Sequence, residues 1–241
     1  MAHRWISSLF GIFLMTAAFS AQAQQLVVIA SGAPAFKPGQ VVKAGTAVEI
    51  PAGASVTLVT ETGKMVVLKG PFSGPAQAGG QGGDKGGDGK LITSLSELLS
   101  GSGKESGSLG TMRAVAPPKP PTDAWVINTG KSGEFCLLAK GPAVLWRAKA
   151  AKGRTVTLKN LGDKSKSTAQ WPAGNATMAW PSKVTLADGA RYLLRMKGSR
   201  AARKIKLHLV PGHLPSDAHR AVWMAQNGCE KQAKRLLAGL R

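Results

Sequence analysis

The stretch Lys204-Ile205-Lys206-Leu207-His208-Leu209 decides the fold class, because apolar and polar side chains alternate along it without interruption. A period of two residues places Ile205, Leu207 and Leu209 on one face of a β-strand and the polar residues on the other. The sequence therefore predicts a strand with a buried inner face and a basic outer face.

The chain before this strand contains a series of similar short runs, each bounded by turn residues. The predicted strands are Trp125 to Asn128, Gly133 to Leu138, Ala143 to Arg147, Thr155 to Leu161, Thr168 to Trp171, Ala176 to Trp180, Tyr192 to Met196 and Lys204 to Val210. Short strands at this spacing are typical of a β-sandwich. We therefore expect a β-sandwich-like domain over residues 122–215, with tryptophans that fill its core; a sugar-stacking platform is the alternative.

The end of the chain, residues 216–241, has a helical pattern. Ser216 can cap a first helix, and Gly228 interrupts the pattern. A second apolar stripe then begins at Cys229 and continues through Ala233 and Leu236. We expect two C-terminal helices.

The two cysteines, Cys136 and Cys229, are the whole cysteine complement of the chain. An even number in an oxidising compartment favours a disulfide, and two buried free thiols are the alternative. A bridge would tie the second helix to an earlier strand. Closing so long a loop can stabilise a fold by up to about 4–5 kcal/mol in the chain-entropy model.

The other end of the chain predicts a smaller β-domain over residues 24–75. Apolar runs at Gln25 to Ser31, Gln40 to Val42, Ala47 to Ile50, Ser55 to Glu61 and Lys64 to Lys69 alternate with turn residues. Thr62-Gly63 lies between two of these runs and is typical of a hairpin connection.

Three segments of this region are similar to a known family. They are Val42-Lys43-Ala44-Gly45, Ile50-Pro51-Ala52-Gly53-Ala54-Ser55-Val56-Thr57-Leu58 and Thr62-Gly63-Lys64-Met65-Val66-Val67-Leu68-Lys69-Gly70-Pro71. They resemble the β-domain of FecR-like periplasmic proteins, and the chain as a whole resembles uncharacterised exported proteins of Gram-negative bacteria. The resemblance implies action through protein contacts. The chain lacks the transmembrane helix of the signalling receptors, so anti-sigma control does not carry over.

Residues 76–121 have the composition of a flexible linker, rich in glycine and proline. One segment departs from this pattern, because Leu91, Ile92, Leu95, Leu98 and Leu99 share a helical face. We expect a short helix that docks on a neighbouring element. Pro117 to Pro121 is interpreted as a stiff spacer, with a proline-motif ligand as the alternative.

Residues 1–23 are typical of an export signal. Arg4 precedes an apolar stretch from Trp5 to Phe19, and Ala21-Gln22-Ala23 presents the small residues of a cleavage site. The apolar stretch is shorter than the ~20 residues of a membrane span. We therefore expect cleavage after Ala23, a periplasmic location and no membrane span in the mature chain.

Charge is concentrated in the second half of the chain. Residues 122–241 contain 22 lysines and arginines against 6 acidic residues, whereas residues 24–75 contain 4 against 2. The densest cluster has no acidic residue between positions 189 and 215. Its members are Arg191, Arg195, Lys197, Arg200, Arg203, Lys204 and Lys206. The cluster predicts an anion-binding face, with a merely solvated basic surface as the alternative.

No motif indicates catalysis, a cofactor or a metal. Gly130-Lys131-Ser132 lacks the upstream glycine of a phosphate loop, and no Gly-x-Ser-x-Gly elbow occurs. His208, His213 and His219 with Asp217 could hold zinc only if a strand end and a helix start converged. We expect a non-enzymatic binding or scaffolding protein whose N-terminal domain contacts a protein partner. Its basic C-terminal domain would bind an anionic envelope polymer or an acidic protein, and not nucleic acid. A regulatory component of a FecR-type system is the alternative, and a cell-wall hydrolase is a third, weaker one.

Overall fold

A computed structural model of the chain describes residues 24–77, 90–101, 121–199 and 201–240. The predicted signal and most of the predicted linker lie outside these residues. The described chain is mostly β, with two β-units and three short helices. The expected fold class is therefore confirmed, including the pair of helices near the C-terminus.

The N-terminal unit is a small sandwich of two sheets. Its strands are β1 (Gln25–Ser31), β2 (Val41–Lys43), β3 (Ala47–Ile50), β4 (Ser55–Thr60), β5 (Met65–Lys69) and β6 (Phe72–Pro75). One sheet has the order β2-β1-β4-β5, and β3 pairs with β6 in the other. Side chains such as Leu26, Ile50 and Leu58 fill the space between them. The sequence did not predict β6, because a strand containing glycine and proline has low intrinsic β-propensity.

The C-terminal unit is a larger sandwich. Its strands are β7 (Val126–Asn128), β8 (Gly133–Leu138), β9 (Val144–Trp146), β10 (Arg154–Asn160), β11 (Lys166–Trp171), β12 (Thr177–Ala179), β13 (Arg191–Met196) and β14 (Arg203–Val210). A five-stranded sheet has the order β11-β10-β13-β14-β8, and a three-stranded sheet has the order β12-β9-β7. The core between them includes Leu145, Leu158 and Tyr192. Trp171 is fully buried there, as expected for a core tryptophan.

Three helices join the two units through a shared cluster, which we name the joint core. The helices are α1 (Lys90–Ser100), α2 (Asp217–Gln226) and α3 (Glu230–Ala238). The buried members of the joint core are Val27, Ile29, Val59, Leu91, Ile92, Leu95, Leu98, Ala124, Cys136, Val210, Ala218, Ala221, Met224, Cys229, Ala233, Leu236 and Leu237. These residues come from both large sheets and from all three helices. The predicted docking of the short leucine-rich helix is thus confirmed.

The disulfide between Cys136 and Cys229 is present and fastens α3 to β8. Gln232, on the first turn of α3, makes a second connection at the same place. Its Oε1 accepts from the backbone N–H of Cys136 at 2.9 Å, and its Nε2 donates to the carbonyl of Cys136 at 3.0 Å. The side chain therefore occupies the edge of β8 in the way that a neighbouring strand would.

Candidate anion-binding face

The strand register of the five-stranded sheet places basic side chains on its outer face. Val156, Leu158 and Leu194 point into the sandwich core, so the residues that alternate with them point outward. Lys159 lies beside Leu193, which lies beside Lys204, and Arg191 lies beside Lys206. Adjacent strands thus bring together cations that are far apart in sequence.

We name this surface the cationic face. It consists of Lys159, Lys166, Arg191, Arg195, Lys204 and Lys206, together with Lys197, whose backbone N–H donates to Thr155 O directly after β13. Arg191, Arg195 and Lys204 are exposed, and no described carboxylate lies within ion-pairing distance of them. Positive charge on this part of the sheet is therefore open to solvent and to a ligand.

Five of the seven predicted anion-binding residues lie on the cationic face. The predicted Arg203 does not, because it pairs with Leu194 and so occupies the opposite side of the sheet at the strand end. Arg200 lies outside the described residues. Sequence reasoning missed Lys159 and Lys166, which β10 and β11 contribute. The alternation around Val156 and Leu158 could have marked Lys159 as outward, but only strand pairing places it beside the cluster.

The margin of this sheet at β8 carries a carboxylate. Glu134 Oε1 accepts from Lys206 Nζ at 3.3 Å, and Glu134 Oε2 lies 2.9 Å from His208 Nε2. Hydrogen bonding by His208, and then by Lys206, lowers the pKa of Glu134 below its ordinary value. Lys206 therefore has an acidic partner, which comes from outside the range 189–215 in which the sequence has none. Lys206 and Glu134 are 72 residues apart in sequence, and the parallel pairing of β14 with β8 places them side by side.

The prediction of a basic outer face along the whole of β14 is wrong at its second half. The side chain of His208 is only 12% exposed. Its ring centroid lies 6.5 Å from that of Trp223 on α2, in an edge-to-face arrangement. The helices thus cover the outer face of β14 from His208 onward and leave Lys204 open.

One cation of the basic half is buried within the fold. Arg147 donates from Nε to the carbonyl of Asn175 at 3.0 Å and from Nη2 to that of Pro172 at 2.6 Å. Its guanidinium carbon lies 4.9 Å from the centre of the Trp171 ring, a cation–π contact. Burial lowers the pKa of Arg147. This residue holds loops together and adds nothing to the surface available to a ligand.

The arrangement of the cationic face suits repeated anionic groups. Side chains lie about 4.8 Å apart across neighbouring strands and about 6.7 Å apart at alternate positions along one strand. Arg191 and Arg195 offer guanidinium forks that can bind phosphate or carboxylate in two-point contacts. Leu193 lies between these two arginines and is half-buried. The face can therefore meet several charges of one ligand together, with an apolar centre for its uncharged parts.

The described residues contain no cluster of histidine, cysteine and acidic side chains that could hold a metal ion. Within the same residues, no helix has both the length and the apolar character that a membrane crossing requires.

Comparison with known proteins gives no match to a family model, and no curated protein matches the sequence. The FecR-like resemblance therefore stays a prediction based on the segments within residues 42–71.

Proposed function

We propose that the protein is an exported, non-enzymatic binding module whose cationic face recognises an anionic component of the bacterial envelope. One observation carries the proposal: six cations from four strands, with Lys197 directly after β13, share one sheet face. Glu134 at the margin of that sheet pairs only with Lys206 among them. A field of this kind attracts anionic partners and raises their local concentration.

The periplasm is the compartment that we propose. The leader-like residues 1–23 support it, and so does the disulfide between Cys136 and Cys229, since such bonds persist in oxidising compartments. The envelope presents phosphates on lipid headgroups and lipopolysaccharide. These groups have the charge and the repeated spacing that the cationic face can accommodate. The N-terminal unit would contact a protein partner, as the FecR-like resemblance implies.

The proposal predicts binding to anionic vesicles that depends on the cationic face. Replacing Arg191, Arg195 and Lys204 together by glutamine should weaken binding to phosphatidylglycerol-containing vesicles about 100-fold, because each cation near such a surface contributes about 1 kcal/mol. Sedimentation with vesicles measures the affinity. Raising the salt concentration should weaken wild-type binding as well.

A matched control separates the cationic face from net charge. Lys140, Lys152 and Lys183 are exposed cations of the same unit that lie outside the face, and replacing them by glutamine removes the same charge. If both triple variants lose the same affinity, the interaction is with net charge alone and the proposed site is wrong. Binding of wild-type protein to phosphatidylcholine vesicles that equals its binding to the anionic ones would also reject the proposal.

A further inference from the structure

The four-stranded sheet of the N-terminal unit exposes apolar side chains at its edges. Met65 and Val67 on β5 are 43% and 40% exposed, and Val41 on β2 is 41% exposed. These three are the exposed large apolar side chains of the described residues. The register places Val41 beside Val27 and Met65 beside Val59. All three therefore lie on the sheet face whose centre the helices cover.

Among the strands that the structure describes, β5 pairs only with β4, so its main chain has one side without a strand partner there. The hydrogen bonds from Thr60 N to Lys64 O and from Gly70 N to Ala54 O, both 2.9 Å, fix which positions bond to β4. In an antiparallel ladder these positions alternate. The N–H and C=O groups of residues 65, 67 and 69 consequently point away from β4 toward the open edge.

The edges of the five-stranded sheet are protected in ways that β5 is not. Gln232 occupies the main-chain groups of Cys136 on β8. On β11, Lys166, Thr168 and Gln170 present polar side chains at alternate positions. Both are common ways of preventing edge-to-edge pairing. Between Lys64, which precedes β5, and Lys69, its last residue, the sequence is only the apolar Met-Val-Val-Leu.

We propose that β5 pairs antiparallel with β5 of a second copy of this chain, around a two-fold axis at Val67. This register uses the outward main-chain groups of residues 65, 67 and 69 in both copies, so the two sheets become one continuous sheet. Val67 then faces Val67 of the second copy, and Met65 faces Lys69 of the second copy. No like charges are directly opposed in this register. Val67 gains an apolar partner in Val67 of the second copy, and Met65 can pack on the aliphatic part of the Lys69 side chain.

The surroundings of β5 leave room for this partner. A groove of about 500 Å³ adjoins the C-terminal half of the strand, at Val67 and Lys69, on the same sheet face. Its lining includes Ile29, Pro38, Thr57 and Lys69. In the proposed register, the Met65 side chain of the second copy lies beside Lys69, at the mouth of this groove. The groove therefore leaves space for the Met65 side chain of the second copy on this sheet face.

Sedimentation equilibrium of the purified protein tests the proposal. The wild type should form a dimer, and Val67→Lys should raise the dissociation constant at least about tenfold, because it opposes two like charges directly at the axis. Val41→Lys is the matched control, since Val41 has nearly the same exposure on the same face at the other edge. It should leave the dissociation constant unchanged. A wild type that stays monomeric up to its solubility limit overturns the proposal, as does a dimer that both variants weaken equally.

A cross-link tests the register directly. Directly opposed residues of a hydrogen-bonded antiparallel pair have Cα atoms about 5.5 Å apart, and a disulfide spans about 4.4–6.8 Å between Cα atoms. Mild oxidation should therefore link Val67→Cys into a covalent dimer and leave Val41→Cys monomeric. Failure of Val67→Cys to cross-link in a protein that dimerises would place the interface elsewhere and overturn the pairing through β5.

Discussion

The outer faces of the two large sheets differ in chemistry, and the three helices pack on the apolar parts of both. The four-stranded sheet presents Val27, Ile29 and Val59 outward, and the helices cover them. The five-stranded sheet presents Cys136 and Val210 outward on β8 and at the end of β14, and the helices cover them. Elsewhere on its outer face, Leu193 is a single half-buried apolar residue among cations. The remaining outer face of this sheet is the cationic face, which is open. The helices thus dock where apolar outer residues of the two sheets form one continuous cluster, the joint core.

The largest effect should come from releasing the helices from the five-stranded sheet. Replacing both Cys136 and Cys229 by alanine removes the link between β8 and α3, and we expect a loss of up to about 4–5 kcal/mol in the free energy of unfolding. Urea denaturation measures it, and wild-type protein reduced with a thiol is the control. Unchanged stability would mean that packing and Gln232 alone hold the covered margin.

A smaller loss in the free energy of unfolding is expected when α1, which covers the four-stranded sheet, loses a buried side chain. Leu95 of α1 is fully buried in the joint core, so Leu95→Ala should cost about 2–5 kcal/mol through lost contacts and a cavity. Leu99→Ala is the control on the same helix, because Leu99 is only partly buried against that core. Urea denaturation of the two variants should rank Leu95 first. Equal losses would contradict the view that α1 is an integral cover of this sheet.

The smallest effect should occur at the boundary between the covered margin and the cationic face. The folded state lowers the pKa of Glu134, so its ionised form adds stability above the ordinary glutamate pKa, and this contribution is lost as pH falls through the lowered value. Glu134→Gln should therefore cost less than about 1 kcal/mol near neutral pH, as is usual for exposed ion pairs. Unfolding curves across the acid range should show the difference from wild type disappearing below that pKa. A difference in the free energy of unfolding that persists below that pKa would mean that the substitution acts through side-chain packing and not through charge.

Much of the secondary structure could be predicted from the sequence, because local patterns control it. The predicted bounds of β1, β3 and β8 agree with the observed ones. The buried side of α1 and the capping of α2 by Ser216 were likewise predictable from spacing and residue type. The strand β6 was missed because its pairing with β3 compensates for a sequence that has little local preference for strand structure.

The candidate site was predictable only in part. Alternation along a strand tells which side chains share a face of that strand, and this was sufficient to place Lys204 on the outer face of β14. The pairing of β13 with β14 then puts Arg191 and Arg195 on the same side of the sheet. The partner of Lys206 was not predictable, because Glu134 becomes its neighbour only when β14 pairs with β8. The same holds for Gln232, a polar side chain on an apolar helix face whose place at the edge of β8 depends on two distant segments meeting.

The sequence by itself determined that this chain forms β-strands, that a leucine-rich segment is helical and that positive charge is concentrated in the second half. These properties follow from periodicity, capping and composition, which act between residues close together in the chain. The tertiary structure alone decided which cations share a surface, and that Arg147 is buried among carbonyl groups and lost to that surface. It also decided that one core joins the two β-units through three helices. Strand order and helix docking bring together residues that are far apart in sequence, and no local pattern encodes those distances.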